Sequence, residues 1–259
     1  MSSDAATRIP DDDVIDPQTT AVRTPDVRVV YWMFVSFWAL FTPGWVFFGR
    51  IIPPPRPDVG PAQVQDWFAQ HALTIQIAFV ALLIIAGGWA VFVGLVGYHM
   101  KRMSSGSVLA YGFIGSMAVG AIPGFQLVML CFLLAVFRPD RDPDISQMFY
   151  DLGMLSTNGS LGFFVAAYVT LAVAIFYDKN EVFPKYFAYV TIWQIIATAI
   201  ATQDWLFDSG AFAWNGVVTF WTGTVVFGTW LVILIRFMHT AGNRESLDSP
   251  RSTDLRTQP

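Results

Sequence analysis

The sequence predicts an all-α, polytopic membrane protein built as a bundle of six spanning helices. Hydrophobic residues make up 54% of the 259 residues, and charged residues make up only 13%. Soluble domains carry about a quarter charged residues, so roughly half of the usual charge is missing. The hydrophobic residues also lie in long runs of about 20 residues without an ionised group, the length that an α-helix needs to cross a bilayer. Scarce charge and long apolar stretches together indicate helices in lipid.

Six hydrophobic segments can each cross a hydrocarbon core of about 30 Å at about 1.5 Å per residue. They define a predicted transmembrane domain over residues 29–238. We expect the acidic residues 1–28 and the polar residues 239–259 to be disordered cytoplasmic tails. The first 28 residues lack the basic start and early apolar stretch of a signal peptide. The predicted spans are residues 29–49, 73–98, 108–137, 154–177, 183–207 and 212–237.

Proline marks three further local features. Pro43-Gly44 lies near the outer end of the first span, and Pro123-Gly124 lies near the centre of the third. We expect a bend at both, because proline removes a backbone donor and clashes with the preceding turn. Between the first two spans, Pro61 can begin a short amphipathic helix through Gln70. That helix either lies in the outer headgroup region or extends the second span.

The distribution of basic residues predicts the orientation, since loops rich in lysine and arginine stay in the cytoplasm. With the N-terminus inside, the inner segments carry 11 of the 15 basic residues and the outer segments carry 4. The basic residues in short loops or at helix ends support the same orientation, because all of them then lie on the inner side. They are Lys101, Arg102, Lys179, Lys185 and Arg236. Both termini are therefore predicted to be cytoplasmic. The outer loops then have a net charge of −4, which repels anions and favours cations or neutral ligands.

The pattern of histidine, cysteine and charged residues argues against several classes of protein. Cys131 is the one cysteine, and none of the three histidines has a second histidine at i+3 or i+4, so we expect no metal site. No cofactor motif is present, and we expect no nucleic-acid partner. No ionised residue lies near the centre of a span, which argues against a proton-driven pump and a voltage sensor.

Polar residues at mid-depth are the first candidates for a binding site, because polar groups in a membrane are costly. Gln126, Asn158 and Gln194 lie near the middle of predicted spans. Their amides either bond across helices and hold the bundle together or line a cavity. In the second case they contact a ligand.

A second polar cluster lies at the predicted outer ends of the spans. It consists of Arg138, Asp151, Gln203, Asp204, Trp214 and Asn215. In one interpretation these residues form an aromatic belt and a salt-bridged cap, in which Arg138 pairs with Asp151 or Asp204. In the other, the cluster lines a pocket that opens to the outer leaflet, and Gln203, Asp204, Trp214 and Asn215 bind the ligand.

Asp204 and Asp151 are the candidate catalytic residues. Asp204 follows Ile200 by four residues and is expected to lie still on the helix, beside Gln203 and Trp205. Partial burial at that position would raise the pKa of its carboxyl group and allow it to act as an acid.

Three stretches of the sequence are distinctive: Phe137-Arg138-Pro139-Asp140-Arg141-Asp142-Pro143, Phe183-Pro184-Lys185-Tyr186 and Ser209-Gly210-Ala211-Phe212-Ala213-Trp214-Asn215-Gly216. They resemble a group of uncharacterised multi-pass membrane proteins from actinobacteria. The resemblance covers roughly residues 50–238. It implies a bacterial plasma membrane and transfers no activity.

Three functions fit these observations. The first is a non-enzymatic protein that binds or passes a small hydrophobic molecule from the outer leaflet, either alone or as an accessory to a larger membrane system. The second is an integral-membrane enzyme that acts on a lipid- or isoprenoid-like substrate with Asp204 or Asp151 as acid. The third is a structural subunit that assembles with partner membrane proteins. The absence of a catalytic motif favours the first over the second, and membrane lipid is a partner in all three.

Cysteine labelling tests the orientation in a Cys131→Ala background. We expect a membrane-impermeant maleimide to label an Asp208→Cys variant in right-side-out vesicles, because residue 208 is assigned to an outer turn. A Lys179→Cys variant should react only after the vesicles are permeabilised. Labelling of residue 208 from the cytosolic side alone would overturn the topology.

Overall fold

The computed structural model describes residues 24–159 and 161–248, with side chains for 27–157 and 161–241. Every regular element in these ranges is helical, and no β-strand occurs among them. The predicted all-α fold is therefore confirmed for the described residues. The physical reason is that helices satisfy their backbone hydrogen bonds within one segment, as lipid requires.

Nine α-helices follow one another along the described chain, joined by short turns. They are α1 (Thr24–Pro43), α2 (Pro61–Ile85), α3 (Gly88–Lys101), α4 (Ser107–Ala121), α5 (Leu127–Phe137), α6 (Pro143–Gly159), α7 (Gly162–Tyr177), α8 (Lys185–Ala201) and α9 (Thr222–Asp248). Wider π-helical turns occupy Gly44–Phe48, Ile122–Gln126 and Val217–Trp221, and a 3₁₀ turn occupies Thr202–Trp205.

Five helical runs among the described residues are long and apolar enough to cross a membrane. They are Val27–Phe48, Pro61–Lys101, Ser107–Phe137, Pro143–Tyr177 and Val217–Ala241. The predicted fifth span coincides with α8, which has 17 residues and is about 26 Å long at 1.5 Å per residue. The 3₁₀ turn after it adds about 8 Å. A sixth crossing at α8 remains a prediction.

The helices extend beyond several predicted boundaries. α1 begins at Thr24 and α9 continues to Asp248, so each reaches into a predicted tail; the rest of both tails lies outside the described residues. α2 runs without interruption from Pro61 to Ile85. The segment after Pro61 is thus an extension of the second span in this structure. Tyr150 and Asp151, assigned to the loop before the fourth span, lie on α6.

A pair of glycines sets the packing between α4 and α7. A methyl group built on Gly120 would lie 2.6 Å from the ring of Phe164, and one built on Gly124 would lie 2.9 Å from the same ring. Phe164 is 4% exposed. Because interiors are close-packed, the two glycines provide the space in which this ring lies.

Asp178 joins the two loops at the predicted cytoplasmic end. Its carboxylate accepts hydrogen bonds from the backbone N–H groups of Ser104, Asn180 and Val182, each at 2.9 Å, and from the Ser104 hydroxyl at 3.3 Å. The residue is 1% exposed. Burial alone would raise the pKa of Asp178, but these hydrogen bonds outweigh it and lower the pKa below its usual value.

Lys185 completes this junction at the end of α7. Its ammonium group donates to the carbonyl oxygens of Ile175 at 2.7 Å and Phe176 at 3.0 Å, and also to that of Asp178. These carbonyls lie in the last turn of a helix and just beyond it, where no intrahelical donor remains and a cation is favourable. The start of α8 is therefore fastened to the end of α7.

Replacing Asp178 by Asn should destabilise the folded protein. The neutral side chain loses charge-assisted acceptance from up to four donors, and we expect a loss of about 1.5–3 kcal/mol, seen as a lower thermal midpoint in detergent. The folded pKa is depressed, so this contribution is present above the ordinary pKa of about 3.9. It disappears as the pH falls through the lowered value. An unchanged midpoint at neutral pH would show that the junction is not needed.

Candidate functional site

A cavity of about 280 Å³ lies between helices that are distant in sequence. Most of its wall is apolar, and no carboxylate, amine, guanidine or imidazole group lines it among the described residues. The lining residues are Trp38, Phe41, Thr42, Trp45, Val46, Ile51, Ile52, Trp89, Phe125, Thr157, Leu161, Phe164, Tyr168, Gln194, Ala197, Thr198, Ala201, Thr219, Phe220, Gly223, Thr224, Phe227, Gly228 and Leu231. We call this space the aromatic cavity.

Each of the three π turns in the described residues contributes to the wall of the aromatic cavity. The contributing side chains are Trp45 and Val46 from the first turn, Phe125 from the second, and Thr219 and Phe220 from the third. A π turn inserts a residue into the helix and often marks a functional site. Pro43 directly precedes the first turn and Pro123 lies within the second, where the missing backbone donor breaks the regular pattern.

Stacked rings make the wall of the aromatic cavity continuous. The ring centroids of Trp89 and Phe125 are 4.9 Å apart, and those of Phe41 and Trp45 are 5.2 Å apart. The rings of Trp38 and Trp89 meet at 6.0 Å. Such offset and edge-on pairs are favourable beyond the area they bury. None of these residues was among the predicted site residues, although Trp38 and Phe41 on α1 and Trp45 in the π turn that continues it follow helical spacing on one side.

Two polar atoms in the wall lack a hydrogen-bond partner. Gln194 Nε2 donates to Thr198 Oγ1 at 3.0 Å, but Gln194 Oε1 accepts no hydrogen bond. The indole Nε1 of Trp38 is buried and donates to no acceptor. A buried polar atom without a partner costs free energy, so a group from outside the chain would be favourable at both.

The aromatic cavity reaches the surface of the bundle at α1. Thr42 lines the cavity and is itself exposed. On the predicted outer side, Ile52 lines both the aromatic cavity and a second cleft of about 410 Å³. The walls of this outer cleft include Arg50, the prolines of residues 53–55, and Tyr150. The side chain of Ile52 therefore borders both spaces.

Two aromatic side chains hold the proline-rich loop above the cavity. Trp214 Nε1 donates to the carbonyl oxygen of Pro55 at 2.8 Å, and the Tyr150 hydroxyl donates to that of Arg56 at 2.7 Å. Their rings contact each other at 5.7 Å. Both side chains are buried, so their polar ends satisfy carbonyls that proline-rich backbone cannot pair internally. Trp214 thus fastens a loop and does not line the aromatic cavity.

The predicted ion pair between Arg138 and Asp151 is absent from the structure. Arg138 is exposed, where pairing gains little over hydration. The salt bridge found within the described residues joins Arg56 to Asp58, with Arg56 Nε 2.9 Å from Asp58 Oδ1. Both partners are solvent-exposed, and hydrogen bonding to Arg56 lowers the pKa of Asp58.

The other predicted ligand-binding residues are dispersed. Gln194 lines the aromatic cavity, whereas Gln126 is exposed on its π turn. Gln203 and Asn215 are half-buried and are not among the lining residues. The side chain of Asn158 lies outside the described residues. A position at the middle of a predicted span does not show whether an amide side chain faces the cavity or the surface.

Two ionisable side chains in the described structure are buried without a hydrogen-bond partner, the imidazole of His99 and the carboxylate of Asp204. Asp204 is 2% exposed, and neither carboxylate oxygen has a hydrogen-bond partner, although the neighbouring Trp205 N–H gives some compensation. Asp178 is equally buried and accepts four hydrogen bonds. An ionised carboxylate in such a site must gain a proton or a cation from elsewhere.

Asp204 lies next to the aromatic cavity along the chain. Ala201 lines the cavity at the end of α8, and Asp204, which is not itself a lining residue, follows it by three residues in the 3₁₀ turn. That turn packs against α6 and against the π turn Val217–Trp221, and both of these elements also line the cavity. The expected burial of Asp204 is therefore present.

No family model, curated protein or solved structure matches this chain. Within the described ranges, no group of three or more histidine, cysteine or acidic residues is placed to hold a metal ion. The aromatic cavity and Asp204 are therefore the features from which a function can be inferred.

Replacing Asp204 by Asn should not destabilise the ligand-free protein. The substitution removes a buried charge that has no hydrogen-bond partner, so we expect equal stability or a gain of up to about 1–3 kcal/mol, seen as a higher thermal midpoint in detergent. Asp178→Asn is the matched control, because that carboxylate is equally buried but fully paired. A drop in the Asp204→Asn midpoint comparable to the control would show that Asp204 has a structural partner.

Proposed function

We propose that this membrane protein binds a small, mainly apolar molecule in the aromatic cavity and receives it from the outer leaflet. The observation that carries this proposal is the convergence of three π turns on one cavity. Each π turn gives up regular helix geometry, and packing alone would be served better by uninterrupted helices. A binding site is the usual reason for such a concentration of irregular backbone.

The volume of the cavity limits the size of the ligand. An apolar cavity of about 150 Å³ holds one benzene molecule. The aromatic cavity has about 280 Å³, so it accommodates roughly twice that, a molecule of about a dozen non-hydrogen atoms. A complete phospholipid is too large, whereas a short isoprenoid or an alkylbenzene fits.

The two unpartnered polar atoms favour a ligand with a polar group. Trp38 Nε1 is a donor and Gln194 Oε1 an acceptor without a partner, and both belong to lining residues of a mainly apolar wall. The other side-chain polar groups of the wall are hydroxyls, indole N–H groups and the Gln194 Nε2 amide. Binding pockets commonly combine a hydrophobic lining with a few such groups that orient the ligand. Entry from the lipid is supported by the exposure of Thr42 at the edge of the cavity.

Catalysis on an isoprenoid-like substrate is the second candidate. It is favoured by Asp204, an unpartnered carboxylate one turn beyond the cavity wall. No acidic or basic side chain lines the cavity itself among the described residues. General acid catalysis requires a reacting bond held at the acid, and no other described group that could activate such a bond lines the cavity, so binding is the better supported function.

Filling the cavity tests the proposal. Gly228 lines the aromatic cavity, and a Cβ built there meets no atom within 4 Å, so Gly228→Leu places a side chain in the cavity without a clash at Cβ. Phenylbutanol serves as the probe, since it has the expected size and one hydroxyl. We expect phenylbutanol to raise the thermal midpoint of the wild type, because a ligand that binds only the folded state stabilises it. Gly228→Leu should lose this shift.

Gly94→Leu is the matched control. Gly94 is exposed, does not line the cavity and also has open space around its Cβ. We expect this variant to retain the ligand-induced shift and the equilibrium binding of tritiated phenylbutanol in nanodiscs, after subtraction of empty nanodiscs. A Gly228→Leu variant that binds as well as the wild type would refute the cavity as the binding site.

A further inference from the structure

We infer that the ligand is an amphiphilic amine whose ammonium group pairs with Asp204 while its apolar body occupies the aromatic cavity. This inference rests on the proposed function and adds the chemical class of the ligand. It starts from a buried carboxylate that the rest of the chain leaves without a partner.

The burial of Asp204 requires a partner from outside the chain. Asp204 is 2% exposed, and the salt bridge formed among the described residues involves other groups. Removing a carboxylate from water is costly unless a cation and hydrogen bonds compensate. Asp178 shows that this fold can supply four donors to a buried carboxylate where the charge serves structure. Apart from the neighbouring Trp205 N–H, such donors are missing at Asp204, so the chain itself leaves this charge without compensation.

The neighbouring wall suits a cation with an aromatic or alkyl body. Trp38, Trp45 and Trp89 line the aromatic cavity, and the negative face of an indole ring attracts ammonium groups. Gln194 Oε1 is a further unpartnered acceptor, on the helix that leads into the turn of Asp204. An ammonium group donates up to three hydrogen bonds, so it can satisfy acceptors that an anion or an apolar molecule would leave unpaired.

The predicted net charge of the outer loops is negative, as is that of the Asp204 carboxylate. The outer loops carry a predicted net charge of −4, which raises the local concentration of cations and repels anions. The route to the cavity and the buried acceptor therefore favour the same class of molecule. A neutral, protonated Asp204 is the competing arrangement, and it would give an amine no advantage over an alcohol.

A pair of matched probes separates these arrangements. Phenylbutylamine and phenylbutanol share the same apolar body and differ in the polar end. We expect wild-type protein in nanodiscs to bind the amine about ten- to hundredfold more tightly than the alcohol, because an ion pair replaces a hydrogen bond in which only the acceptor is charged. Asp204→Asn should abolish this preference, because a neutral amide offers the ammonium group no counter-charge. Asp208→Asn, which removes an exposed carboxylate four residues away, should keep the preference.

The outcomes distinguish the two proposals. Equal binding of amine and alcohol by the wild type overturns the pairing with Asp204 and leaves the cavity as a binding site. No saturable binding of either probe refutes the proposed function itself. Where Asp204→Asn does not give folded protein, Asp204→Leu provides the neutral comparison, because it replaces an unpartnered charge by an apolar side chain. A preference for the amine that survives in the neutral variant also overturns the inference.

Discussion

Inside a bilayer, backbone N–H and C=O groups must find partners within their own segment, because no water is present to replace them. This constraint explains why every described element is helical and why irregular backbone is confined to a few places. The three π turns are such departures, and each contributes side chains to the same cavity. One of them directly follows a proline and another contains one, so the sequence itself breaks the regular pattern there. The architecture is therefore most regular where it meets lipid in long helices and least regular around the internal space.

Two buried aspartates show how the same side chain can serve different ends in one fold. The carboxylate of Asp178 accepts hydrogen bonds from two loops, and its charge thereby stabilises the junction between them. Asp204 is equally buried, and only the neighbouring Trp205 N–H compensates its charge. Stability alone explains the first arrangement but not the second, since an apolar residue would be less costly at Asp204. A site that departs from the best local choice is expected where function imposes a further requirement.

Fold class and the positions of the helices follow from hydropathy, which depends on segment length and composition and hardly on side-chain direction. To identify the candidate site residues, the direction of each side chain must also be known. Gln194 and Gln126 are both mid-depth amides, yet one faces the cavity and the other is exposed, because the rotation of a helix is decided by its neighbours. Asp204 was singled out by its flanking polar residues, and the structure does bury it. The aromatic side chains of α1 could not be separated from lipid-facing ones by composition, although their helical spacing carried the signal.

Ile52 connects the loop chemistry to the interior. It lines both the aromatic cavity and the outer cleft, and it directly precedes the loop whose carbonyls are held by Trp214 and Tyr150. Because Ile52 borders both spaces, a rotation of its side chain would enlarge one of them at the expense of the other. The loop that follows Ile52 is therefore placed to link the volume of the interior to the contents of the outer cleft.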